Sequence, residues 1–178
     1  MSTNVVFTSE RLIYRPYKIE DMDILIKLCN EKTYRRWFYF LPKLNETRAR
    51  EHIEKNIEMW SRKIDITKDQ FYFAIEKKDT GELIGSVQVS KYHGKKKLND
   101  LEVGFDIGEA YQNNGYATEA TREILRWAFQ MLSEIGTTPK IVGKTEHKNF
   151  ASRRVLEKTG FKLIKKTFFC HVYEITLT

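Results

Sequence analysis

Between Leu101 and Ile124 the chain changes its hydrophobic period once, and that change limits the possible folds more than any other stretch. Leu101, Val103, Phe105 and Ile107 alternate with Glu102, Gly104 and Asp106, the two-residue period of a strand with one buried face. Gly108 to Asn114 is a short polar loop. From Gly115 to Ser133 the apolar residues Ala120, Ile124, Trp127, Ala128 and Met131 recur with the period of a helix laid on a core. Lys140 to Glu146 then reads as a short strand. Strand, helix and strand in that order form a crossover, which joins parallel strands of one sheet.

The rest of the chain supplies antiparallel strands and more helices. Arg11 to Arg15 alternates and stops at Pro16. Ile19 to Asn30 has helical spacing, with Glu20, Asp21 and Asp23 near its start. Asn45 can cap a long helix that carries Ala49, Ile53, Ile57 and Trp60 on one stripe. Phe71 to Glu76 and Leu83 to Tyr92 are strands joined through the turn Asp79-Thr80-Gly81. Asn149 to Lys158 is a helix ended by Gly160, and Phe161 to Thr167 and His171 to Leu177 are the last strands. No repeat, low-complexity segment or linker interrupts this order. Residues 1–178 are therefore expected to form one α/β (α+β) domain, with a mixed, largely antiparallel sheet and one parallel crossover.

Composition mainly excludes. Hydrophobic residues make up 41% and charged residues 31%, a soluble globular balance. No apolar run approaches the roughly 20 residues of a bilayer span. The opening MSTNVVFTSERL lacks a basic-then-apolar signal pattern, so a cytoplasmic location and no membrane partner are expected. Cys29 and Cys170 are far apart and in no metal-like spacing, which predicts reduced thiols and no metal site. The +7 net charge favours anionic ligands. The cations are nevertheless scattered among acids. Only Lys95-Lys96-Lys97, in an expected turn from Gly94 to Asn99, forms a tight run, so nucleic acid is not the expected partner.

The loop-to-helix junction Tyr111 to Ile124, YQNNGYATEATREI, carries the first functional signal. The first turn of a helix offers unpaired N–H groups and the positive end of its dipole. Gly115 removes a side chain from the approach and Ala117 keeps the next one small, which together make an anion cradle. A plain N-terminal glycine in a polar loop is the other reading of the same residues.

Two further stretches give context: the strand Glu102 to Ile107 before the cradle, and NFASRRVLEKTGF, Asn149 to Phe161, after the next strand. Here the chain resembles the Gcn5-related N-acetyltransferases, and within them the RimJ/RimL-like branch. Gln112, Gly115 and Ala117 match the family's phosphate turn, and residues 114 to 120, NGYATEA, match the branch's longer form. Asn149, Ser152, Val155, Leu156, Glu157, Lys158, Gly160 and Phe161 match its second signature. Thr8 to Leu12 and Arg15-Pro16 resemble its opening.

The resemblance implies a mixed, largely antiparallel sheet of about seven strands flanked by about four helices. It implies acetyl-CoA as acetyl donor, no metal, and direct transfer to a primary amine, a protein N-terminal α-amine first and a small-molecule amine next. It is compatible with a monomer or a homodimer. Phe105, Ile107, Gln112, Asn113, Asn114, Gly115, Tyr116, Ala117, Thr118, Asn149 and Ser152 are the residues it implies for coenzyme binding. A non-catalytic acyl-CoA-binding module is the alternative.

Among residues for chemistry, Glu102 is the first candidate for the base, directly or through water. It lies opposite the apolar face of its strand, with Gly104 beside it to leave room. Asp106 is the second. Ser152 is the candidate proton donor to the leaving thiolate, or a helix-capping residue. The position where many family members carry a tyrosine holds Leu156. Tyr34, Trp37 and Tyr39, within an aromatic run that also holds Phe38 and Phe40, are implied as acceptor-site walls, with core packing the other reading. His147 is expected to be a loop residue, and His93 and His171 receive no role. Only Lys165 to Cys170 joins the last two strands, shorter than in many relatives.

Overall fold

A computed structural model describes residues 7–91, 101–136 and 140–176. His93, the lysine run 95–97 with its expected turn, Tyr92 and Leu177 lie outside the described residues. Eight strands form one sheet in the order β1-β2-β3-β4-β5-β6-β8-β7. They are β1 (Phe7–Thr8), β2 (Leu12–Arg15), β3 (Phe71–Lys77), β4 (Leu83–Lys91), β5 (Leu101–Ile107), β6 (Lys140–Glu146), β7 (Lys162–Lys166) and β8 (Cys170–Thr176). The pair β5–β6 is parallel and the other described pairs are antiparallel, as the crossover requires.

Five α-helices accompany the sheet: α1 (Met22–Asn30), α2 (Lys32–Trp37), α3 (Glu46–Ser61), α4 (Tyr116–Glu134) and α5 (Phe150–Lys158). The eighth strand is the two-residue β1, and the fifth helix is α2, inside the aromatic run. Periodicity does not announce α2 because none of its residues is buried.

The helices lie on both faces of the sheet. α4 contributes Ala120, Ile124, Leu125, Ala128 and Leu132 to a core with Phe71, Phe73, Val87, Leu101 and Val103. α1 and α3 contribute Leu25, Leu28 and Ile53 to a second cluster with Tyr17, Ala74 and Leu83. Two expected stripes are corrected in detail. On α4, Leu125 and Leu132 are buried, while Trp127 and Met131 are only partly covered at the rim of the core. On α3, Ile57 is 40% exposed. The inward side chain near it is Asn56, which accepts from the Tyr17 N–H at 2.9 Å and donates to the Tyr72 carbonyl at 3.0 Å. A buried amide that joins two backbone segments is invisible to an apolar-period reading.

Candidate active site

The turn into α4 is shaped by two left-handed residues, Asn113 at φ +64 and Gly115 at φ +82. Glycine takes that conformation freely and asparagine tolerates it. Asn114 Nδ2 donates to the carbonyls of Tyr111 and Gln112, at 3.1 and 3.0 Å. Gln112 Nε2 donates to the Ile107 carbonyl at 2.9 Å and to Thr33 Oγ1 at 3.3 Å. Both amide side chains thus brace the turn from within. Among the described residues, the N–H groups of Asn113 through Thr118 have no acceptor, and the first pairing is Glu119 N–H to the Gly115 carbonyl at 3.0 Å. A Cβ on Gly115 would find only Arg11 Nη2 nearby, at 3.5 Å, so the approach is open.

A second brace comes from the β1–β2 turn, and sequence reasoning missed it. Glu119 accepts from Ser9 Oγ at 2.6 Å, from the Arg11 N–H at 2.9 Å and from Arg11 Nε at 2.8 Å. Arg11 Nη1 donates to the Asn114 carbonyl at 3.0 Å, and its guanidinium lies 4.5 Å over the Tyr116 ring. Burial works against charge on Glu119, but Ser9 and Arg11 together hold its carboxyl below the usual range. Both ends of this brace stand in the sequence stretches already singled out. Only the 108-residue separation hides their contact.

The turn opens onto a fork in the sheet. β5 and β6 pair only at Leu101–Ile141, Glu102–Val142 and Val103–Gly143. Beyond that point β5 continues to Ile107 and β6 to Glu146 without a bridge between them. Phe105 and Ile107 therefore lie on the divergent arm that leads into the turn. Leu156 fills the crotch: it is buried, and a Cβ on Gly143 would come within 2.6 Å of its Cδ2. The place of the family's tyrosine is thus a packing position here.

On the other arm, Asn149 Oδ1 accepts from the Ser152 N–H at 3.1 Å and caps α5. The capping role considered for Ser152 belongs to Asn149. The Ser152 hydroxyl has no partner among the described residues. His147 Nε2 sits 3.0 Å from the Thr167 carbonyl and 3.1 Å from that of Phe168, and so ties the β7–β8 turn to the loop between β6 and α5. Thr145 and His171 face each other across β6 and β8, and Thr145 Oγ1 and His171 Nδ1 are buried without a partner among the described residues. Burial, then Arg153, His147 and Lys166, lowers the His171 pKa from its ordinary value.

The opposite face of β5 carries Glu102, Gly104 and Asp106, as alternation predicts. Glu102 is joined to Lys144 Nζ at 3.0 Å. The room beside Gly104 is taken by Gln88, whose Nε2 would lie 2.6 Å from a Cβ there. Asp106 Oδ1 accepts from Ser86 Oγ at 2.5 Å. Tyr17, Cys29, Tyr34 and Tyr72 all feel its charge, and Tyr34 and Cys29 also interact through hydroxyl and thiol. Burial pushes Asp106 up to about 6. Burial, then Asp106, pushes the Cys29 thiol up to about 12, so at neutral pH it is no nucleophile.

Of the three aromatics expected at the acceptor site, Tyr34 reaches this cluster and stacks on Phe38 at 4.6 Å. Trp37 is partly covered by Arg36, 4.9 Å from its ring. Tyr39 is 68% exposed and touches Phe40 edge-on. A cleft of about 370 Å³ beside α3, lined by His52, Asn56, Arg62 and Gln70 among others, shares Tyr72 with the cluster. Among the described residues no group of three or more His, Cys, Asp or Glu side chains is arranged to hold a metal, and no helix is long and apolar enough to cross a membrane.

A family model described as an acetyltransferase (GNAT) domain matches residues 11–162. An uncharacterized N-acetyltransferase, YjdG of Bacillus subtilis, is 31% identical over 102 residues, 57% of this chain and 56% of the relative. The chain therefore spans little more than half the length of that protein. Among solved structures, spermidine N-acetyltransferase from Vibrio cholerae, in complex with CoA and spermine, superposes with a TM-score of 0.73 at 17% identity, covering 94% of this chain and 96% of that one. RimL, a ribosomal L7/L12 α-N-protein acetyltransferase in complex with coenzyme A, gives 0.73 at 15% identity, covering 97% and 98%.

Proposed function

The chain belongs to the GNAT acetyltransferase family, and from that premise we propose that it transfers the acetyl group of acetyl-CoA directly to a primary amine, a protein N-terminal α-amine first and a small-molecule amine second. The observation that carries the donor half is the row of unpaired N–H groups from Asn113 to Thr118 at the open end of the β5–β6 fork. Such N–H groups, with the dipole of a 19-residue helix behind them, suit a diphosphate that is held and never transferred. The β6-side edge of β5 from Phe105 to Ile107, which has no β6 bridge while its other edge pairs with β4, suits the amide-bearing arm of the same molecule by strand-like pairing. Both acceptor types occur among the structural neighbours, one named for spermidine and one for a ribosomal protein N-terminus.

The reaction needs a proton taken from the amine and one given to the departing sulfur. Ser152, with its free hydroxyl on the α5 side of the fork, is proposed as the donor to sulfur. β5 offers two carboxylates on the acceptor face, Glu102 and Asp106. Four residues at roughly 3.3 Å each separate them by about 13 Å, so one nitrogen meets only one of them. If Glu102 takes the proton it must first part from Lys144. Glu102→Gln then lowers turnover at saturating substrates and flattens its pH dependence, while acetyl-CoA affinity holds. Unchanged turnover in that variant removes Glu102 from the chemistry.

Mass spectrometry of peptides with free N-termini and of small amines, each incubated with enzyme and acetyl-CoA, tests the acceptor class. An acetyl group on peptide α-amines supports the first choice, and acetylation of small amines alone supports the second. Acetyl-CoA binding with no acetylated product across the panel would instead favour a non-catalytic acyl-CoA-binding module.

A further inference from the structure

The proposed reaction leaves the cleft of about 370 Å³ between α3 and the start of β3 without a role. Its floor runs on into the acceptor face of the sheet by strand register. Tyr72 of β3 pairs with Gln88 of β4, and Gln88 pairs with Gly104 of β5. The side chains follow the same path. Gln70 Nε2 donates to the Tyr72 hydroxyl at 2.6 Å and to Gln88 Oε1 at 3.0 Å, and Gln88 fills the space beside Gly104. The cleft wall at Tyr72 and the acceptor face of β5 are thus two strand spacings apart, roughly 10 Å.

The end of the cleft next to Tyr72 is rich in donors and poor in acceptors. The Tyr72 hydroxyl accepts from Gln70, and its own proton has no acceptor among the described residues. The His52 ring stands edge-on to Tyr72 at 4.8 Å, and its nitrogens have no hydrogen-bond partner among the described residues. Lys55, one turn further along α3, has no carboxylate within ion-pair reach among the described residues. Burial, then Lys55, lowers the His52 pKa from its ordinary value, and no acid offsets them. Asn56 is already used, since its amide joins Tyr17 to Tyr72. Glu58 and Arg62 line the cleft further along α3, where Arg62 is held by Asp69 at 2.9 Å. A phenol proton, an imidazole N–H and an ammonium around one space all want the same partner, a group with two accepting oxygens and a negative charge. A cationic tail would instead meet Lys55 at the same point.

We infer that the α3–β3 cleft binds a carboxylate carried on the tail of the acceptor, with Tyr72, His52 and Lys55 as its donors. This deepens the acetyltransferase reading and rests on it. The amine itself lies on the acceptor face of β5, and the tail crosses β4 over Gln88. An extended peptide advances at most about 3.6 Å per residue, so a gap of roughly 10 Å puts the carboxylate on the side chain of the second or third residue of an N-terminal peptide. A small amine whose carboxylate stands about as far from its nitrogen meets the same donors. The site therefore selects amines with a distant carboxylate and discriminates against the matching amide, which has one accepting oxygen and no charge for Lys55.

The test compares short peptide amides that carry glutamate or glutamine at the second or third position, and 8-aminooctanoate with 8-aminooctanamide. The wild type should prefer the carboxylate member of at least one pair by roughly 10- to 100-fold in kcat/KM at pH 7, with the difference in KM. Lys55→Met, on the exposed side of α3, and Tyr72→Phe, which keeps the ring, should each bring that ratio toward one. Both variants should keep the acetyl-CoA affinity and circular dichroism spectrum of the wild type. A preference confined to 8-aminooctanoate supports the cleft and makes its carboxylate that of a small molecule. A wild-type ratio near one in every pair, or a preference that persists in both variants, overturns the inference and leaves the acetyltransferase reading standing.

A second readout does not need turnover. The His52 ring protons, followed by NMR with coenzyme A present, should shift on addition of the preferred carboxylate probe and stay in place with its amide. Ring signals unmoved by an excess of every carboxylate probe overturn the inference even if no acceptor is acetylated. Shifted signals with no acetylated product across the panel support the carboxylate site and count against the acetyltransferase reading instead.

Discussion

Gly115 and Ser152 answer different questions about the donor. Gly115 sits at φ +82 with open space in front of it, so a side chain there is strained and also projects into the approach. Gly115→Glu should abolish acetyl-CoA binding by bulk and like charge. Its stability should drop by only about 1–2 kcal/mol, because nothing except the end of Arg11 lies in its way. Ser152 makes no structural contact through its hydroxyl, since Asn149 caps the helix. Ser152→Ala should therefore leave the melting temperature unchanged and slow turnover by roughly 10- to 100-fold, at the low end of general-acid effects because a thiolate leaves tolerably well unaided. Wild-type turnover in that variant would rule out the donor role. At this scale the sequence was most informative where one residue meets the backbone beside it. Gly115, Asn149 and Gly160 could be read from neighbours alone, and each stands at its expected helix end. Ser86 on Asp106 and Gln88 beside Gly104 could not, because those pairs meet only through sheet register, and Arg11 on Glu119 could not, because that contact joins a turn to a helix across 108 residues.

The elements divide the labour of the site. β5 leaves β6 after Val103, and Leu156 of α5 wedges the parting point. The turn between β1 and β2 reaches α4 through Ser9 and Arg11 and braces the turn into that helix. β2 also ends in a buried ion pair. Arg15 grips Asp21 with two nitrogens and Glu76 of β3 with Nε at 2.8 Å. Removing one member leaves an uncompensated charge in the interior. Asp21→Ala is expected to lose about 3–5 kcal/mol of stability, measured by denaturant melting with an unchanged m value. A loss below about 1 kcal/mol would mean that Arg15 finds Glu76 a sufficient partner. Periodicity located every strand except β1 and every helix except α2. Those two carry too few buried residues to set a period, and α2 brings Tyr34 near Cys29 and Asp106 without one.

Over the whole molecule, the sheet separates the two halves of the proposed reaction. α4 and α5 pack on one face and carry the unpaired N–H groups and Ser152, while α1 lies on the other, where Cys29 of α1 and Tyr34 of α2 feel the charge of Asp106. The proposed reaction needs a donor anchored on the first face to present its carbonyl to the second, and the β5–β6 fork parts the sheet beside the turn into α4. The crossover order alone announced a parallel pair, and so this layout was legible early. That the pair would split after three bridges was not, because parting strands keep the same alternation as paired ones. The most direct test is amine-dependent release of free thiol from acetyl-CoA by the wild-type chain and by Gly115→Glu, with the acetyl group traced by mass spectrometry. The wild type should release thiol only when a primary amine is present and deliver the acetyl group to that amine, and folded Gly115→Glu should do neither. Acetyl-CoA bound by the wild type with no amine-dependent release, or release by Gly115→Glu at the wild-type rate, would contradict the account.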